Sequence, residues 1–254
     1  MSSSALDTAP RIILRIPGPW ESLNELAVAL RDINLGFTLA IDHEPQKATL
    51  INSETHQHFN VWQMERDDEI ASIFADRGRI SGEDVEAIDR HRAKFFVEGP
   101  GGSLTAARAM LAAGAAIISA GGLGVMVDNN ANTHSPKDWL DLAGDPMLGG
   151  MYWAFVNLTG NRDEVFSTGM HCLGFRDAIL PNPPSKKVAA DVLHNFLGYS
   201  YQSGATIIDG EALGGPDGPE FIVRHELCTC FRAGTPFHNP YGIWRLEKYV
   251  EEDK

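Results

Sequence analysis

The stretch KFFVEGPGGSLTAARAMLAAGAAIISAGGLGVMVD, residues 94–128, decides how this chain is read. Residues 94–98 (KFFVE) predict a short strand. Gly99-Pro100-Gly101-Gly102 then breaks the chain. Ser103 stands where an N-cap is wanted, because its hydroxyl can take up a free amide of a helix's first turn. The helix predicted from there runs over 103–119 and stops at Gly121-Gly122. Arg108 is its only charge, so the helix is expected to lie at the centre of the fold. Residues 124–128 predict a second strand. A strand–helix–strand unit normally occupies one sheet, with a right-handed crossover.

Towards the N-terminus, residues 11–17 (RIILRIP) alternate and put Ile12, Leu14 and Ile16 on one face of a strand. Trp20, Leu23, Leu26, Ala27 and Leu30 fall at helical spacing over 20–33. Strands are expected over 36–42 and 47–52, an extended stretch over 56–64, and a polar helical region over 67–92. Towards the C-terminus, Ser135 with Pro136 behind it starts a short helix. Strands are expected near 151–158, 164–170, 205–209 and 220–226, and a last one within 238–249. Between them, 186–201 carries Val188, Val192, Phe196 and Tyr199 on one helical stripe, with Ala189, Leu193 and Leu197 beside it.

That mixed order argues an α+β fold, with mixed sheets and helices packed on one face. The first part matches a split βαβ, and two ferredoxin-like βαββαβ halves are the expected plan. The divisions are a loose tail over 1–9, an N-terminal α+β half over 10–93 and a C-terminal α+β half over 94–250, together one compact unit. Residues 250–254 are expected to fray.

The chain has 254 residues, 43% of them apolar, which is enough for a sizeable core. Lys and Arg number 21 against 34 Asp and Glu, a net charge of −13 that repels nucleic-acid phosphate and anionic lipid. Neither nucleic acid nor membrane is therefore expected as a partner. The longest apolar stretch, 104–127, is interrupted by Arg108 and by glycines, and residues 1–10 lack a basic and apolar leader pattern. A cytoplasmic protein with reduced cysteines is the expectation.

Several residue groups could carry chemistry. His56 and His58 form an H-x-H pair whose imidazoles would share one face of a strand and could hold a divalent metal, as in a metal-assisted hydrolase. The alternative is a polar, half-exposed strand. Gly101, Gly102 and Ser103 sit between a strand and a helix start, where amides favour anions, as in a small-anion or nucleotide sensor; a tight turn explains them equally. Met170-His171-Cys172 offers a thiol and an imidazole, but on a strand neighbours point to opposite faces. His225, Cys228 and Cys230 are mixed ligands without the second pair a zinc site needs. Asp209 and Glu211 flank Gly210, either as paired carboxylates or as an acidic turn.

Segments 99–140, 166–180 and 204–214 resemble the bacterial domain of unknown function 4261 family. The likeness rests on His134-Ser135-Pro136, Trp139, Thr168, Gly169, Met170, Leu173 and Gly174. Relatives tend to carry Pro-Glu after the second motif glycine; here Arg176-Asp177 follow Phe175, and Asp177 is the local acid. The resemblance implies a grouping and a fold, and no activity. The motif glycines predict a strand that ends in a sharp turn, with Met170 and Leu173 anchoring it and the Thr168 hydroxyl satisfying a local backbone group. With no assembled catalytic motif, a binding or protein-interaction module without catalytic activity is expected, needing no cofactor and taking a protein or small-molecule partner. Thr168, His171, Asp209, Glu211, Gly101, Gly102 and Ser103 are its candidate ligand contacts.

Overall fold

A computed structural model describes residues 9–249 apart from 45, 79, 205, 216 and 217. The expected tail (save residue 9) and the expected fraying end lie outside the described residues.

The alternating run becomes β1 (Arg11–Gly18), with Ile12, Leu14 and Ile16 fully buried. Ser22 caps α1 (Leu23–Ile33), accepting from the amide of Glu25. β2 (Phe37–Ile41), β3 (Lys47–Asn52) and β4 (His58–Glu65) follow as an antiparallel meander. The polar region divides into α2 (Ile70–Arg77) and α3 (Gly82–Asp89), whose Ile70, Phe74 and Ile88 form a small cluster of their own. β5 (Ala93–Pro100), α4 (Leu104–Ser119), β6 (Val125–Val127) and β7 (Asn132–His134) complete the first sheet.

Among the described residues that sheet runs β2-β3-β4-β5-β1-β6-β7, with every neighbouring pair antiparallel. The strand–helix–strand unit of 94–128 is thus split: β5 and β6 flank β1, which lies between them. The α+β class holds, but the two ferredoxin-like halves do not form. β1 takes β5 and β6 as neighbours, where that plan would set it beside a strand of its own hairpin, and β5 to β7 join the sheet of the N-terminal strands. The physical reason is α4. Packed on β5 and β1, it buries Ala107, Met110, Leu111, Ala113 and Ile117, a wider apolar surface than one short βαβ can cover.

The second half of the chain forms α5 (Pro136–Gly144), α6 (Gly149–Phe155), β8 (Asn157–Gly160), β9 (Glu164–Thr168), α7 (Met170–Leu173), β10 (Asp177–Pro181), α8 (Lys186–Ser203), β11 (Ala212–Gly215), β12 (Gly218–Glu226) and β13 (Ile243–Lys248). Its described strands make a sheet ordered β11-β12-β13-β10-β9-β8, mixed because β10 and β13 run parallel. One hydrophobic cluster extends from Ile12 and Phe59 through Leu111 to Phe155, Leu193 and Leu246, across both sheets. No described helix is long and apolar enough to cross a membrane.

Two expected strands are corrected. Residues 151–155 are the body of α6: Met151, Tyr152, Ala154 and Phe155 are buried while Trp153 faces out, a helical stripe that aromatic β-propensity disguises. Residue 205 lies outside the described set, and 206–209 are irregular, ending in a turn at Gly210; the strand starts instead at Ala212.

Candidate functional site

Two stretches singled out in the sequence meet in the fold. β9 ends at Thr168, and Gly169 takes φ 96°, where a Cβ would stand 1.9 Å from the carbonyl oxygen of Phe155. One helical turn later Gly174 takes φ 93°, and a Cβ there would stand 2.6 Å from the carbonyl oxygen of Gly102. Only glycine fits both constraints at either place. The amide of Gly102 donates to the carbonyl of Cys172 (3.0 Å), and that of Gly101 to Pro10 (2.8 Å). Ser103 caps α4 by accepting from Ala106. The Gly101 and Gly102 amides are therefore spent on protein carbonyls, and the 99–103 turn acts as a clasp on the 168–174 turn.

Two buried side chains hold this junction from either side. Asp177 opens β10 and is 4% exposed. Its Oδ1 accepts from the Ser167 hydroxyl (2.9 Å) and the Met170 amide (3.2 Å), and its Oδ2 accepts from Asn239 Nδ2 (2.7 Å). Burial raises its pKa to about 6, against the pull of those donors. His171 lies 3.2 Å by Nε2 from Asn129 Nδ2, which also donates to the carbonyls of Arg11 and Pro236. Burial brings the imidazole down to about 4, opposed by the Pro236 carbonyl.

His171 and Cys172 do not point apart as they would on a strand. They sit on α7, and the thiol lies 3.9 Å from Nε2. Burial pushes the Cys172 thiol well up and the imidazole down, so both stay neutral near pH 7, the opposite of a thiolate–imidazolium couple. The Thr168 hydroxyl, expected to satisfy the backbone, is buried with no partner among the described residues, as is Nδ1 of His171.

The remaining candidates lie elsewhere. His56 has a left-handed backbone (φ 56°) in the turn before β4, and His58 is that strand's first residue, so the pair does not share a strand face. Asp209 accepts from the His225 amide on β12, tying the turn to that strand, and Glu211 accepts from the Ile208 amide, closing a local turn. His225 packs on Trp244 within β12 and β13, while Cys228 and Cys230 belong to the loop after β12. Among the described residues no three His, Cys, Asp or Glu side chains gather as metal ligands would.

α8 packs on β9 and β10 through Ala189, Leu193 and Leu197, which are fully buried. Its second stripe, Val188, Val192, Phe196 and Tyr199, overlooks β11 to β13. Two adjoining depressions, of about 560 and 500 Å³, run along it and share Val192, Glu220, Phe221 and Leu246. Val188 and Tyr199 on the rim are 42% and 51% exposed. β11 ends the sheet and pairs, among the described strands, with β12 alone. Comparison with protein-family models, with curated proteins and with solved structures finds no match for this chain.

Proposed function

We propose that this protein is a binding module without catalytic activity, and that it takes an extended apolar segment of a partner protein into the groove between α8 and β11 to β13. One observation carries the reading: Val188 and Tyr199 of α8 stay exposed, and with Val192 and Phe196 they line two adjoining depressions over β11 to β13. An apolar surface left in water is the ordinary mark of an interaction site. The free edge of β11 beside it offers backbone groups to an added strand. Glu220 stands where the two depressions join, so a segment with a basic residue between apolar ones fits best. Asp177, at the end of the 168–177 junction, is closed to water and committed to internal bonds, which supports a structural role for it.

We propose membership of the bacterial 4261 grouping on the motif residues alone. Glycines at 169 and 174 with φ near 95° give those residue types a physical reason. A reducing, cytoplasmic setting accords with three cysteines that form no disulfide.

Panning a display library of short peptides on the purified chain tests the proposal. Enriched sequences should alternate apolar residues around a Lys or Arg. Val188→Glu should weaken the best of them at least about tenfold, which corresponds to about 1.4 kcal/mol, with the melting temperature unchanged. Peptides that bind the Val188→Glu chain equally well would place recognition elsewhere.

A further inference from the structure

Beneath the loop that follows β12, a cavity of about 40 Å³ is lined by Ser167, Asp177, Cys228, Cys230 and Glu164. The two thiols lie 3.8 Å apart, Sγ to Sγ. On a strand, residues two apart hold their side chains side by side at a distance poorly suited to pairing. Here β12 stops at Glu226, and the irregular backbone of the following loop brings the sulfurs into contact. The two differ in access: Cys228 is 8% exposed, whereas Cys230 is open to solvent. An accessible sulfur in contact with a sheltered one is the arrangement of an attacking and a resolving thiol.

We infer that Cys228 and Cys230 form a redox-active dithiol that closes reversibly to an intramolecular disulfide by exchange with a low-molecular-weight disulfide. The Cys230 thiolate attacks one sulfur of the reagent, whose S–S bond breaks and releases one thiol. Cys228 then attacks the Cys230 sulfur, forming the protein disulfide and releasing the second thiol. The protein loses two electrons and two protons, and the reagent gains both as two thiols. Closure needs the sulfurs to move from 3.8 Å to the bond length of about 2.05 Å. The cavity is large enough for a water to carry the protons away.

The groups facing Cys230 set the pH dependence. Burial, with Cys228 and Asp177 acting in the same direction, pushes its thiol up to about 11, and Glu164 adds a further carboxylate to the cavity wall. Thiolate is scarce at neutral pH, so the exchange rate should rise about tenfold per pH unit between about 7 and 9. The inference is independent of the groove, which shares none of these residues.

The test is incubation of the full chain with excess glutathione disulfide, followed by denaturation, alkylation and intact-mass and peptide analysis. The expected product has lost two hydrogens, carries a Cys228–Cys230 link and retains Cys172 as its one alkylatable cysteine. Cys228→Ser should stop at a glutathione adduct on Cys230. A wild-type chain that keeps all three thiols alkylatable, or that accumulates a stable glutathione adduct on Cys230, would overturn the inference. The wild-type measurement decides on its own should the Cys228→Ser variant fold poorly.

Discussion

His171 and Asp177 are 2% and 4% exposed, whereas Val188 and Tyr199, on the next helix along the chain, are 42% and 51% exposed. The junction around 168–177 thus holds imidazole, carboxylate and thiol away from water, and the groove beside α8 holds apolar side chains in it. Both reverse the usual distribution. The reversals have different causes. At the junction a buried carboxylate replaces a backbone bond that the sharp turn cannot make: Asp177 collects the Met170 amide and ties the loop at Asn239 to β10. Along the groove the sheet is simply wider than the one helix laid on it. Polarity therefore marks the place that needs internal satisfaction, and exposed apolar surface marks the place available to a partner.

The contrast can be broken most severely at the junction. Gly169→Val would drive a Cβ against the Phe155 carbonyl at a φ of 96°, and the expected loss is about 3 kcal/mol or more in urea unfolding. Gly174→Val, against the Gly102 carbonyl, should cost at least about 1 kcal/mol. If both variants unfold like the parent chain, the clasp is not structural.

Acid titration separates the buried groups next. His171 and His134 are each brought from 6.5 to about 4 by burial. The unfolded chain binds more protons than the folded one between those values, so stability falls as the pH drops from 6.5 towards 4, by about 3 kcal/mol for each histidine. Asp177, raised from 3.8 to about 6, acts in the opposite sense. The folded chain holds its proton more tightly, so its contribution grows as the pH falls through 6 and is lost as the pH rises, again about 3 kcal/mol. Urea titrations should therefore show a net loss of stability on going from pH 7 to 4. That slope should steepen in Asp177→Asn, which removes the opposing group. An unchanged slope would show that Asp177 titrates normally.

The smallest effect on stability belongs to the groove. Val188→Glu should shift unfolding by no more than about 0.5 kcal/mol, as surface substitutions do, while weakening peptide binding about tenfold or more. A large loss of stability would make that stripe part of the core and erase the contrast.

Much of this organisation can be read from the residues. The alternation of Ile12, Leu14 and Ile16, the Ser103 cap and the nearly chargeless helix over 104–119 specify their elements locally, through side-chain period and capping chemistry. The two apolar stripes of α8 are equally visible, and so are the motif glycines whose φ the turn requires. Asn129, Ser167 and Asn239 are not, since an Asn or Ser gives no sign of being buried until its partners arrive from distant segments. Aromatic residues at 151–155 read as a strand because β-propensity reflects burial, which a helix facing α5 and α7 supplies as well.

The sequence by itself determined the α+β class, the central helix, the acidic surface and the positions that had to be glycine, because each rests on interactions within a few residues. Tertiary structure alone decided that β1 would part β5 from β6, that the 99–103 turn would close on the 168–174 turn, and that Cys228 would touch Cys230. It also decided which stripe of α8 stayed uncovered. Those outcomes depend on contacts between segments far apart in the chain, where only simultaneous burial of both partners repays the entropy of bringing them together.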